Sequence, residues 1–228
     1  MSTSADTKRA ALDRALEHIR AGAQDRLRYA ALDLRLCLET MTLEKLRLYR
    51  RYLPASFSTE TWQPYKQLRA MVQIDSIADQ SFVLLAGAES VPGVDPPPEP
   101  YRPIGEHRAF SKEWLTKAYN KLGSMVHLRT DLGSAADVAF LADVASRIEH
   151  ALGGSITGMR MVRTITFECE TCGSVIPVSE TFARGGNVVA CLSDGCPAEY
   201  DPEVDGLGPP RFTRRPAAAT CAFCGRSG

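Results

Sequence analysis

The chain has 228 residues, 44% of them hydrophobic and 24% charged, with 27 basic against 27 acidic side chains and a formal net charge of zero. Those values fit a globular protein of one large or two modest domains, and they exclude a polycationic chain that coats nucleic acid or an acidic membrane by global charge. The N-terminal MSTSADTKRAALDRAL has no uninterrupted apolar run and reads as no secretory signal, and the apolar window VAFLADVA is short and interrupted by Asp143, which argues against a membrane span.

From about Ala5 to Tyr52, Leu12, Leu16, Ile19, Ala23, Leu27, Ala30, Leu34, Leu38 and Met41 recur at spacings of three and four. That is the stripe of an amphipathic helix, with Arg14, Arg20, Arg26, Arg28 and Arg35 on the solvated side. Gly22 is expected to divide it into a short first and a longer second helix, and Cys37 to be a small buried residue. A further helix is predicted over Trp62 to Ile74, with Tyr65, Leu68, Met71 and Val72 inward and Pro64 in its first turn. SFVLLAG (81–87) reads as a short strand. VPGVDPPPEPYRP (91–103) reads as an irregular insertion, because proline removes backbone donors.

Ser111 is a helix N-cap for a segment burying Trp114, Leu115, Ala118, Leu122 and Met125. Ser134 and Asp137 form a capping box for a helix carrying Val138, Leu141, Val144, Ala145, Ile148 and Leu152, ended by Gly153-Gly154. After Gly158 the sequence alternates and is rich in β-branched residues, as in short strands between turns. The expected fold class is α+β. A mainly helical bundle (1–155) with a Pro-rich insertion (about 88–106) precedes a small β-rich unit (160–205) and a tail (206–228).

Six of the seven cysteines lie within the last 60 residues. Cys169-x₂-Cys172 and Cys191-x₄-Cys196 place two thiolates on each of two tight turns, joined by a spacer long enough for a hairpin. This predicts a closed, structural tetrahedral Zn²⁺ site, with an iron–sulfur cluster or disulfides as alternatives. The segment 164–204 resembles a zinc ribbon. The tail adds Cys221-x₂-Cys224, half a site, which a second protomer's identical pair would complete; an unmetallated or redox-active tail is the other reading. From Thr164 to Gly228 there are five arginines, no lysine and eight acids, so RFTRRP (211–216) is the one basic stretch, read as a linker or a phosphate contact.

His18 and His150 sit on charged helix faces, whereas His107 lies in GEHR and His127 ends YNKLGSMVH. RYAALDLRLCLETMTLEKLRLY, GEHR and WLTKAYNKLGSMVH together resemble the HEPN superfamily of small helical domains, over about residues 10–152. The resemblance implies a metal-independent endoribonuclease or RNA-binding unit, active or degenerate, in a prokaryotic defence or toxin–antitoxin setting. Its histidine does acid–base work at the ribose 2′-hydroxyl, its arginine stabilises the phosphorane, and two protomers pair into a homodimer. His127 takes the histidine position. Lys121 has the spacing expected of the arginine (K-x₅-H), Asn120 lies one step earlier, and Arg108 (beside His107) or Arg129 is the alternative source of a guanidinium. The competing expectation is a non-catalytic dimeric adaptor that recruits a protein or nucleic acid through its ribbon. Either protein would be cytoplasmic, with no membrane partner.

Overall fold

A computed structural model describes residues 4–57, 64–87, 101–127, 132–156 and 163–216. The fold is α+β, and the chain divides into two compact units. The first comprises Met1–Leu48, Pro64–Leu68 and Ile77–Met159; the second comprises Tyr49–Gln63, Arg69–Ser76 and Arg160–Gly228. No helix among the described residues is long and apolar enough to cross a membrane.

In the first unit, α1 (Ser4–Ala21) and α2 (Gln24–Tyr49) are separated at Gly22, whose φ of 68° belongs to the left-handed region that glycine enters without steric cost. The expected break therefore falls where the sequence put it. Leu12, Leu27, Ala30, Leu34 and Leu38 are fully buried, while Ala23 lies exposed in the turn. Cys37 is buried, its thiol pushed up to about 12 chiefly by desolvation, and it donates to the Lys8 carbonyl (3.4 Å). Arg14 pairs with Asp33 (2.7 Å), and Lys8 with Glu44, tying α1 to α2.

Strands β1 (Phe82–Ala86) and β2 (Arg102–His107) form an antiparallel ribbon with a register shift between Leu84 and Leu85. Arg102 and Pro103, the end of the stretch expected to be irregular, thus open a strand. Pro103 is accommodated because the register slips beside it, where a missing amide costs least. Helix α4 (Lys112–Val126) begins at Ser111, whose hydroxyl accepts from the Trp114 amide, and α5 (Ala135–Leu152) begins with the Ser134–Asp137 capping box. Trp114 is half-buried rather than interior, stacking on Phe110 with ring centroids 4.7 Å apart.

Helix α3 is Pro64–Ile74. Leu68 and Met71 are buried as expected, but Tyr65 is exposed, and Gln67 and Gln73 take interior positions. The second unit adds β3 (Thr164–Glu168), β4 (Val175–Ser179), α6 (Glu180–Arg184), β5 (Val189–Ala190), β6 (Glu199–Glu203) and β7 (Arg211–Arg214). β3 pairs with β4, and β5, β6 and β7 form a three-stranded antiparallel sheet. RFTR is therefore neither a linker nor part of a tail beginning at 206. Phe212 stacks on Phe167 (4.1 Å between centroids), and that aromatic contact holds a strand too polar to announce itself.

Candidate metal centre

Two hairpin ends build the site. Between β3 and β4 the Cys169 amide donates to the Ser174 carbonyl (2.9 Å) and the Gly173 amide to the Cys169 carbonyl (2.8 Å). Gly173 has a φ of 71°, which closes the turn where a side chain would be strained. Between β5 and β6 the Cys191 amide donates to the Ala198 carbonyl (2.8 Å) and the Cys196 amide to the Ser193 carbonyl (3.2 Å). Each cysteine pair thus leaves its ladder at the first position free to turn inward.

The four sulfur atoms lie within 4.8 Å of one another. Across the two turns, Cys169 and Cys196 are 3.7 Å apart and Cys172 and Cys191 3.6 Å. A tetrahedron with Zn–S bonds of about 2.3 Å has edges of about 3.8 Å, whereas a disulfide needs about 2.05 Å. The separations fit four sulfurs around a single ion, and all four thiols are free. The cluster is positioned to hold a metal ion.

The thiols differ in their surroundings. Hydrogen bonds from the Ser174 side chain and amide bring Cys172 down to about 6, while burial pushes Cys191 up to about 12 and raises Cys196. At Cys169 burial acts upward, but the Tyr200 hydroxyl and the amides of Cys172 and Thr171 outweigh it, and the net direction is down. Metal binding must therefore displace protons, above all from Cys191 and Cys196, so affinity falls as the solution is acidified.

Three supporting residues carry no motif. Tyr200 is buried, donates its hydroxyl to Cys169 Sγ (3.4 Å), accepts from the Glu170 amide (2.8 Å), and meets Phe167 edge-on. Gln73, from the second unit's part of α3, donates to the carbonyls of Pro177 (3.1 Å) and Ala190 (3.0 Å) and accepts from the Ala190 amide (2.9 Å). It joins the two hairpins one residue before Cys191. Ser56 bonds to the Ser193 hydroxyl (2.8 Å) inside the second turn. Sequence periodicity signals none of these, since each partner lies more than 30 residues away or is a backbone atom.

The residues expected to be catalytic have these surroundings. His107 is buried, its Nδ1–H donating to the Ile156 carbonyl (2.9 Å) and its Nε2 accepting from Lys45 Nζ (3.0 Å). Arg108 is committed to Glu106 (2.8 Å) and to the His150 carbonyl at the end of α5 (3.2 Å). Lys121 places its ammonium over the Phe140 ring (4.0 Å), and Asn120 is exposed. His127 is exposed at the end of α4 and makes no hydrogen bond or ion pair with a described residue. Arg129, Cys221 and Cys224 lie outside the described residues.

Both ring nitrogens of His107 are thus occupied. Burial lowers its pKa below the ordinary 6.5, the Ile156 hydrogen bond opposes this, and the Lys45 ammonium adds to the lowering. The unfolded chain then binds a proton more readily than the folded one. This group's contribution is complete above pH ~6.5 and is lost as pH falls below that value. Urea unfolding of the helical unit should show a lower midpoint at pH 5 than at pH 7, and His107→Gln should flatten that slope.

No protein-family model matches the chain, and neither a curated protein nor a solved structure matches it.

Proposed function

We propose that the chain is a non-catalytic interaction protein whose second unit is a ribbon folded around one structural Zn²⁺ ion on Cys169, Cys172, Cys191 and Cys196. The observation that carries this is the sulfur geometry, with separations of 3.6 and 3.7 Å across the two turns. Soft thiolates in a tetrahedron suit zinc. A [4Fe–4S] cluster would place the four cysteines on four separate irons and spread them farther apart. An all-cysteine set has no open position for a water, so the ion supplies shape rather than chemistry. Four free thiols suit a reducing compartment, which supports the cytoplasm.

A protein partner is favoured over nucleic acid by the ribbon's charge pattern. Arg184 is paired with Glu180 (2.8 Å), Arg215 with Asp201 (2.8 Å) and Arg69 with Glu199 (2.9 Å), and from Thr164 to Gly228 eight acids stand against five arginines, so the ribbon has no net positive charge to draw phosphate. A cleft of about 410 Å³ between Arg51–Pro54 and the strands β3 and β4 offers a partly apolar surface with the hydroxyls of Thr164 and Thr166. Metal analysis of the purified protein tests the reading. One zinc per chain is expected, one and a half would mean that Cys221 and Cys224 bridge two chains, and iron in place of zinc would overturn it.

A second reading keeps the helical unit as a HEPN-like, metal-independent endoribonuclease in which Arg35 stands in for the absent arginine. It is supported by the packing of Arg35 against α4. The guanidinium lies over the Tyr119 ring (4.1 Å), bonds to its hydroxyl (2.6 Å), and occupies the space a Cβ at Gly123 would need. Gly123, a costly residue inside a helix, thereby seats a cation four residues before His127. On this reading single-stranded RNA is cut in the presence of EDTA, while His127→Ala stops cleavage and Gly123→Ala, which displaces the tip of Arg35, reduces it. Intact RNA with the wild-type protein ends it.

A further inference from the structure

Strand β3 is paired on one side only, in a two-stranded sheet with β4. The backbone bonds around it fix which polar groups face away from β4. The Glu180 amide donates to the Arg163 carbonyl (3.2 Å) and the Cys169 amide to the Ser174 carbonyl (2.9 Å), so residues 163 and 169, just beyond the two ends of β3, turn toward the partner strand. Pro177, opposite Thr166, has no amide, and its carbonyl turns the other way, to Gln73 (3.1 Å). Antiparallel pairs alternate, so the amides and carbonyls of Thr166 and Glu168 point out of the free edge. No hydrogen bond to a described residue occupies them, and both residues are exposed.

An open edge is ordinarily blunted or covered. This one borders the cleft of about 410 Å³ in the second unit. Thr166, Val175 and Pro177 lie on one face of the hairpin by register and line the cleft opposite Arg51–Pro54. Val175 is 51% exposed there. The edge also has electrical direction, with the exposed Arg163 at its start and the exposed Glu168 at its end.

We infer that the free edge of β3 takes up an extended segment of a partner protein as an added antiparallel strand. That segment carries an acidic residue opposite Arg163, an apolar residue opposite Thr166 and a basic residue opposite Glu168. The inference rests on reading the second unit as a protein-binding ribbon, and names what it binds. Amides and carbonyls repeated every second residue are met by another extended backbone, whereas phosphate groups offer acceptors only and leave the carbonyls unmet. Antiparallel pairing is the more stable per residue, and the opposite charges at the two ends set the polarity.

Fluorescence anisotropy with the metal-loaded full chain tests this. The probe is a labelled peptide, Thr-Lys-Thr-Val-Thr-Val-Glu, beside a control in which Lys and Glu are exchanged. The probe should saturate below about 1 mM, and the control should bind at least about threefold more weakly. Thr166→Pro removes the outward amide without breaking a bond to β4, so it should weaken the probe at least about tenfold with sheet circular dichroism and metal content unchanged. If Thr166→Pro disturbs the sheet signal, Arg163→Glu decides, and it should invert the preference between probe and control. No saturation by about 1 mM, equal binding of both peptides, or binding indifferent to the substitution that decides overturns the inference, as does binding of oligouridylate in place of the probe. A chain that holds one zinc and ignores the peptide overturns this inference alone, whereas iron in the site overturns the zinc reading whatever the peptide does.

Discussion

Stripping the metal, or replacing Cys191 by Ser, should unfold residues 163–216 while leaving the helices of the first unit intact. The ribbon's interior is a cluster of Cys169, Ile176, Val178, Ala183, Val189, Cys191, Ala198 and Tyr200, so two of its buried side chains belong to the four-cysteine cluster positioned to hold an ion. A core this small supplies only a few kcal/mol, whereas structural zinc contributes about 10–16 kcal/mol in small zinc modules. On the proposed zinc reading, loss of the ion would therefore exceed any stability the segment has alone. The check is limited proteolysis with and without a chelator. New cuts should appear within 163–216, and α1, α2, α4 and α5 should remain protected. Tyr200→Phe gives a graded control. It removes one hydroxyl bonded to Cys169 Sγ and the Glu170 amide, at a cost of about 1–3 kcal/mol, and it should speed metal loss without abolishing the fold. An unchanged digest after chelation would show that the sulfur cluster holds nothing the ribbon needs.

How far the residues announced this outcome depends on the range of the interaction involved. Gly22, Ser111 and the Ser134–Asp137 box act on their own neighbours, and the helix boundaries they imply stand. The cysteine spacing is equally local within each turn, and the long spacer needed only to be sufficient for a hairpin. What stayed hidden is set by distant partners. Nothing near RFTR reveals that Phe212 stacks on Phe167, and nothing near Pro103 reveals that a bulge will admit it to a strand. His107 and Arg108 are chemistry-bearing side chains adjacent in sequence. Their partners, the Ile156 and His150 carbonyls, are main-chain atoms that any sequence would supply, so their structural roles had no signature.

Gln73 is the clearest case of a residue whose importance only the fold shows, and its substitutions have the second largest expected effect. Its amide makes three hydrogen bonds in a buried position, as donor to Pro177 and Ala190 and as acceptor from Ala190. Gln73→Leu keeps the volume but leaves two carbonyls and one amide unpaired. At about 1–3 kcal/mol for each such group, partly relieved by relaxation, the loss should be about 3–5 kcal/mol. Gln73→Glu is more telling. A carboxylate still accepts from the Ala190 amide but points its negative charge at both carbonyls, so the folded state raises its pKa above the ordinary value of about 4.3. Stability relative to the wild type is then best retained below pH ~4.3, where the protonated acid can donate one of the two bonds. It is lost as pH rises through the folded-state value. The acid arm stays interpretable because it compares variant with wild type at the same pH, which cancels the general effect of acid on the thiolate site. Urea unfolding followed by β-sheet circular dichroism should show that reversal. Hydrogen exchange at the Ala190 amide should accelerate in Gln73→Leu and remain slow in Gln73→Glu. Because Ala190 directly precedes Cys191, transfer of the metal to a chelator should also quicken by about tenfold in Gln73→Leu. Equal stability of Gln73→Leu and wild type would mean that the three bonds are replaceable by water, and that the two hairpins are aligned by the ion alone.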